Sequence, residues 1–198
     1  MFEPNTNDPF VQFNKWFTEA KAAEPHDANA MAVATADSDG RPSARIVLLK
    51  GLDDRGFVFY TNYESRKGLE MTLNPFAALC FHWKTLGRQV RVEGPVTTVT
   101  DFESDHYFAS RPRLSQTGAW ASQQSRPLTS RKVLLDAVAK FETEYSGREI
   151  PRPPYWKGTR VIPLQIEFWQ SGEYRLHDRY RFARSAEGRD WTVTRLNP

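Results

Sequence analysis

Ser43-Ala44-Arg45-Ile46-Val47-Leu48-Leu49-Lys50, the turn Asp53-Asp54-Arg55-Gly56 and then Gly56-Phe57-Val58-Phe59-Tyr60-Thr61 spell two strands joined by a hairpin-like connection. The four aliphatic residues between Arg45 and Lys50 read as a fully buried strand, so the cations at its ends should emerge where the sheet meets solvent. Just downstream, Ser65-Arg66-Lys67 opens a short helix stopped by Asn74-Pro75. Ser65 as N-cap would offer a hydroxyl and free backbone N–H groups beside two cations, an arrangement suited to phosphate. Taken alone, these residues read more simply as two solvated strand ends.

Outward from this hairpin the chain reads as one antiparallel unit. Asp8-Pro9 opens a helix with Phe10, Phe13 and Phe17 at helical spacing, fading by Glu24-Pro25, and residues 1–7 are expected to form a frayed, disordered tail before a single domain over 8–198. Further strands are expected over 30–35, 76–83, 88–96, 161–169, 180–183 and 191–196. Thr100-x-x-Glu103 is a capping box for a helix ending before Arg111-Pro112. Helices over 115–123 and from Thr129 or Ser130 through Tyr145 follow, and Ile150–Pro154 must be an extended connector. Seven or eight short strands with short links argue for a mainly β fold, an antiparallel barrel with peripheral helices.

Composition narrows the chemistry. The chain of 198 residues carries a net charge of only +3, too little for a nucleic-acid surface, but 19 of its 27 basic residues are Arg, the side chain that grips phosphate or carboxylate with a fork. A single cysteine, Cys80, excludes an intrachain disulfide and a multi-cysteine metal site. His26, His82, His106 and His177 show no metal-ligand spacing. Neither a G-x-S-x-G elbow nor a P-loop nor G-x-G-x-x-G is present. No stretch reaches helical transmembrane length, and the expected compartment is the cytoplasm.

Three further groups could carry chemistry. Tyr107, Arg111 and Ser115 follow at i, i+4, i+8 and would share one face of a continuous helix, a donor nest for an anion, although Pro112 argues for a bend. A surface face with a buried tyrosine explains them equally well. Gln123-Gln124-Ser125-Arg126 offers donors with no evident partner and reads as loop. In Arg175-Leu176-His177-Asp178-Arg179, alternation would place both guanidiniums and the imidazole on one side of an extended segment, suited to an electron-rich phosphorylated heteroaromatic. A charged edge strand with a pendant His is the plain alternative.

Together these blocks resemble the pyridoxamine 5′-phosphate oxidase family. R-I-V-L-L-K at 45–50, F-Y-T-N at 59–62, S-R-K at 65–67, R-Q-V at 88–90, Y-F-A-S-R-P-R at 107–113 and S-Q-T-G-A-W at 115–120 look like its motifs. So do Q-S at 124–125, I-E-F-W-Q at 166–170 and R-L-H-D-R at 175–179, in order along the chain. The resemblance implies an FMN-binding split barrel that forms a homodimer with flavin sites at the subunit interface. It would place FMN against Arg45, Ile46, Val47, Leu48, Leu49, Lys50, Tyr60, Thr61, Arg66, Lys67, Gln89, Gln124, Ser125, Trp169 and Arg179. The substrate phosphate would meet Lys50, Tyr107, Arg111 and Ser115, with Arg175 and His177 as catalytic residues at the pyridine ring.

The implied reaction oxidises pyridoxamine 5′-phosphate or pyridoxine 5′-phosphate to pyridoxal 5′-phosphate. Dioxygen accepts the electrons, and hydrogen peroxide is released, with ammonia from the amine. Members of the family often carry a basic N-terminal arm over the substrate; here the first Arg is Arg41, so no lid of that kind is expected. Asp27 falls where the family has a carboxylate near the substrate. A relative acting on another substrate, of the phenazine-pathway type, and a non-enzymatic carrier of flavin or vitamin B6 phosphate are the competing expectations.

Overall fold

The computed structural model describes residues 1–198. Ten strands and five helices run in the order α1 (Pro9–Ala23), β1 (Ala30–Ala36), β2 (Pro42–Leu48), β3 (Gly51–Asp53), β4 (Gly56–Asn62), α2 (Arg66–Leu73), β5 (Phe76–Trp83), β6 (Arg88–Thr98), α3 (Asp101–Ala109), α4 (Arg113–Ala121), α5 (Arg131–Glu144), β7 (Trp156–Val161), β8 (Gln165–Gln170), β9 (Asp178–Ala183) and β10 (Thr192–Leu196). Every strand pairing is antiparallel.

The long strand β6 joins two parts of the sheet. Its first half, Arg88–Glu93, pairs with β8, whereas Val96–Thr98 pairs with β7, which leads on to β4 and β3. Gly94 sits at the change of partner, and a Cβ there would lie 1.9 Å from the carbonyl oxygen of Ile162. Only a residue without a side chain lets the strands cross this closely and curl the sheet.

Helix α1 fills the resulting hollow. Asp8 caps it by accepting from the N–H groups of Phe10 and Val11. Phe13, Trp16 and Ala20, at helical spacing, are buried against the sheet. Phe13 meets Phe57 at 4.9 Å and Phe81 at 5.1 Å, and Trp16 meets Phe168 at 5.3 Å. Each such side chain contributes about 1.5–3 kcal/mol by leaving water.

Several expectations need correction. The segment 161–169 is two strands, not one: β7 ends at Val161 and β8 begins at Gln165. Pro163 between them has no N–H for a ladder. Strand β2 is an edge strand rather than a buried one, because only β1 pairs with it, and Ile46 is 68% exposed. Arg45 therefore lies within β2, opposite Val33, not at a strand end. Tyr107, Arg111 and Ser115 do not share one helix, since α3 ends at Ala109 and α4 starts after Pro112. The segment before β9 is not extended: Glu173–Arg175 form a 3-10 turn with Tyr174 at φ 54° and Arg175 at φ 64°. Residues 1–7 contain no helix or strand, yet Phe2 packs on Trp16 at 4.6 Å and its N–H donates to Asp178 at 2.7 Å.

Candidate active site

A cavity of about 880 Å³ opens beside the β2 edge, roofed by α2 and the α3–α4 bend. Fourteen of the residues singled out from the sequence line it: Arg45, Ile46, Val47, Leu48, Lys50, Tyr60, Thr61, Arg66, Lys67, Tyr107, Arg111, Ser115, Gln124 and Ser125.

The first anion-binding cluster is built on β2 and α2. Arg45 Nη1 donates to Thr35 Oγ1 at 2.6 Å and to the carbonyl oxygens of Val33 and Ser43, both at 3.2 Å. Glu70, almost fully buried on α2, accepts from Thr35 Oγ1, from Ser43 Oγ at 2.6 Å and from Arg45 Nη2 at 3.4 Å. Its other oxygen accepts from Arg66 Nε at 2.8 Å, one helical turn away. Burial alone would push this carboxyl up, but hydrogen bonds from Ser43, Thr35 and Arg66 outweigh it and hold the pKa at about 2.

Lys67 Nζ donates to Gln124 Oε1 at 2.9 Å and to Ser65 Oγ at 3.2 Å. Burial, and then the charge of Arg45, lower its pKa to about 8. The Ser65 hydroxyl is not free for a ligand as the sequence suggested. It is fully buried, donates to the carbonyl oxygen of Asn62 at 2.6 Å and caps α2. Gln124, expected to lack a partner, has one in Lys67.

The second cluster rests on aromatic rings. Tyr60, on β4, stacks on Tyr107 with centroids 4.0 Å apart and on Trp156 at 5.1 Å. The backbone of β7 can approach because its neighbour is Gly158, where a Cβ would lie 2.7 Å from the Tyr60 ring. The Arg111 guanidinium lies over Trp156, 4.7 Å from the ring centroid. Its Nη1 is buried with no hydrogen-bond partner, and burial lowers its pKa, with Tyr107 opposing. Lys50 and Ser115 share the cavity with it, so the bend at Pro112 still brings the predicted nest together.

Sequence reasoning missed Glu70 and Trp156. The i, i+4 spacing of Arg66 and Glu70 was a usable signal for the first. Nothing local marks Trp156, whose role depends on β7 lying beside β4.

Six predicted site residues do not line this cavity. Leu49 is 6% exposed and belongs to the hydrophobic core. Gln89, Trp169 and Arg179 stand in one row across β6, β8 and β9, on the sheet face opposite the core residues Val90, Phe168 and Tyr180. Arg175 and His177 lie in the connection between β8 and β9. The His177 ring packs 4.5 Å from Trp169, and its Nδ1 accepts the Gly172 N–H at 3.2 Å. A neutral imidazole bonded this way carries its proton on Nε2. Asp178, between His177 and Arg179, pairs with Arg195 at 3.0 Å. Asp27, at φ 41°, lines a second cavity of about 550 Å³ that shares Lys50 with the first.

The donor set fits FMN and a second phosphorylated ring. The Nη groups of Arg66 have no partner, Arg111 Nη1 is buried and orphaned, and an apolar edge and aromatic rings lie between polar groups. Arg45, Arg66, Lys67, Gln124 and Ser125 are the residues that would hold the flavin phosphate.

Comparison with known proteins agrees. Residues 17–145 match the family described as pyridoxamine 5′-phosphate oxidase, and residues 156–198 match the pyridoxine 5′-phosphate oxidase C-terminal dimerisation region. The pyridoxine/pyridoxamine 5′-phosphate oxidase of Azorhizobium caulinodans is 59% identical over 192 residues, covering 97% of this chain and 91% of that protein. The protein of the same name from Brucella anthropi is 56% identical, covering 98% and 95%. Among solved structures, PhzG from Burkholderia lata, in complex with tetrahydrophenazine-1-carboxylic acid, superposes with a TM-score of 0.92 at 33% identity, covering 100% of this chain and 98% of that one. An FMN-binding, pyridoxamine 5′-phosphate oxidase-related protein from Nostoc punctiforme shares the split-barrel fold at a TM-score of 0.76 and 16% identity, covering 98% and 100%. With matches to both family regions and relatives this similar along almost its whole length, the chain belongs to the pyridoxamine 5′-phosphate oxidase family.

Proposed function

We propose that this protein is an FMN-dependent oxidase that converts pyridoxamine 5′-phosphate or pyridoxine 5′-phosphate to pyridoxal 5′-phosphate. The observation that carries this reading is the pairing of two guanidinium-centred clusters, Arg45–Arg66–Lys67 and Lys50–Arg111–Ser115, in one cavity with stacked aromatic rings. Two phosphorylated flat molecules are what such a cavity suits.

FMN, when bound, supplies a hydride acceptor that dioxygen can regenerate, so the alcohol and O2 give the aldehyde and H2O2, while the amine also consumes water and releases ammonia. The protein's part is position and charge. Arg45, Arg66 and Lys67 hold the cofactor phosphate. Lys50, Arg111 and Ser115 hold the substrate phosphate, and Tyr107 borders the same seat. Fixing both molecules by their phosphates sets how the rings overlap and brings the reacting carbon within reach.

The active unit is a homodimer whose sites lie at the subunit interface. Trp169, Arg175, His177 and Arg179 all fall within the matched dimerisation region and outside the cavity of their own chain. The exposed edge around Ile46 borders that cavity, where a second copy would close it. The partner's Arg175 orients the pyridine ring, and the partner's His177 donates its Nε2–H to the C4′ substituent. Backbone strain at Tyr174 and Arg175 fits a loop held for function rather than for folding.

The test is anaerobic reduction. Pyridoxine 5′-phosphate should bleach the FMN-loaded protein, and admission of air should restore the colour and release one peroxide per aldehyde. A flavin that stays oxidised would rule out the oxidase. The likeness to PhzG favours a second reading, oxidation of a reduced phenazine precursor. Faster bleaching by a tetrahydrophenazine carboxylate than by pyridoxine 5′-phosphate would select it.

A further inference from the structure

Glu70 is a buried carboxylate that touches no part of the cavity surface, yet it binds two of the cavity's arginines. It takes one N–H from Arg66 and one from Arg45, leaving the two Nη groups of Arg66 and the Nε of Arg45 without a partner. Thr35 and Ser43, directly opposite each other on β1 and β2, complete its shell. One carboxylate thus ties the sheet edge to α2 and fixes both guanidiniums between them.

We propose that Glu70 is the positioning residue of the flavin-phosphate seat and makes that seat selective for a phosphate monoester. The inference rests on the FMN reading above. Arg45, Arg66 and Lys67 bring three positive charges and Glu70 one negative charge, a balance that matches the charge of about −2 on a phosphate monoester. Orientation matters more than this balance. Arg66 is largely exposed, and without Glu70 its long side chain would sample many rotamers, so each phosphate contact would carry an ordering cost. Removing the carboxylate also removes a repulsion on the bound anion. That gain is smaller than the loss of two aimed, charge-assisted donors.

The experiment compares FMN with riboflavin, which lacks the phosphate, by quenching of flavin fluorescence on apoprotein. Glu70→Gln keeps the size of the side chain, but its amide cannot accept from both arginines. It should weaken FMN binding by about 10- to 100-fold, as expected for losing one or two charge-assisted hydrogen bonds, while riboflavin affinity stays within about threefold. Thr35→Val removes only the hydroxyl that links Arg45 to Glu70 and should give a smaller loss, again confined to FMN. It serves in place of Glu70→Gln should that variant not fold.

Unchanged or tighter FMN binding in both variants would overturn the inference. Equal weakening of FMN and riboflavin would overturn it too, because that outcome marks a structural role alone. Failure of the unaltered protein to prefer FMN over riboflavin would instead refute the FMN reading itself.

Discussion

Arg45 and Arg111 line the same cavity in opposite surroundings. Arg45 is held by three side chains and two carbonyl oxygens, and shares the counter-ion Glu70 with Arg66. Arg111 has no carboxylate near it; aromatic faces support it, and one of its buried nitrogens bonds to nothing. The first arrangement is stable without ligand. The second is costly until an anion arrives, since a buried unsatisfied donor costs about 1–3 kcal/mol, more when charged. The proposed roles, a resident cofactor at Arg45 and a substrate that comes and goes at Arg111, would call for this division of labour.

The sharpest way to break the contrast is to measure the stability of apoprotein variants. Glu70→Ala should cost about 3–5 kcal/mol in denaturant unfolding, because it leaves the Arg45 charge without its counter-ion and two hydroxyls without their shared acceptor. Arg111→Met should leave apoprotein stability equal or higher, since it replaces an orphaned cation with an apolar chain. Matching losses in the two variants would abolish the distinction.

Activity should reverse the order. Arg111→Met should lower kcat/KM for pyridoxine 5′-phosphate by about 100-fold through loss of charge-assisted contacts, with FMN retained. Trp156→Leu removes the ring beneath Arg111 and should have a smaller effect, about tenfold on kcat/KM, in line with a desolvated cation–π contact. An Arg111→Met variant that lost its flavin instead would show that the two seats had been assigned the wrong way round.

The smallest effects are expected from pH. Lys67, at about 8, loses its charge as pH rises, so FMN affinity should fall above that value. Below about 6 the phosphate itself becomes monoanionic, so affinity should peak between the two. Glu70 has a folded pKa of about 2 against an ordinary 4.5, so its stabilisation is full above 4.5 and fades as pH falls towards 2. Asp53 and Glu103 act in the same direction. Burial opposes the shift of Asp53, but hydrogen bonds and the charges of Arg55 and Arg160 lower it; Glu103 is lowered first by hydrogen bonds from Thr100. Acid unfolding monitored with and without Glu70→Ala would isolate its share.

Local patterns in the chain carried much of this. Asp8, Ser65, Thr100 and Ser130 all cap the helices that follow them, because capping depends on only four or five neighbouring residues. The helical spacing of Phe10, Phe13 and Phe17 likewise marked the face that α1 turns to the core. Strand β7 was invisible: Trp156–Val161 contains Lys157, Gly158 and Arg160, with no alternation of apolar and polar residues. What makes it a strand is β4, which pairs with it from Phe57 to Asn62, and Arg160 is stabilised there by Asp53 and Glu103.

For the site, residue types and spacing were enough to mark clusters of anion donors, because Arg-rich blocks around short elements keep their chemistry wherever they fold; only the family resemblance divided those donors between two phosphates. Which donors meet was decided only in three dimensions. Register placed Thr35 beside Ser43, the α2 turn brought Glu70 beneath both arginines, and the curl of the sheet slid Trp156 under Arg111. The Arg45–Glu70 and Arg111–Trp156 contacts join residues 25 positions apart or more, and no local sequence preference encodes such long-range packing.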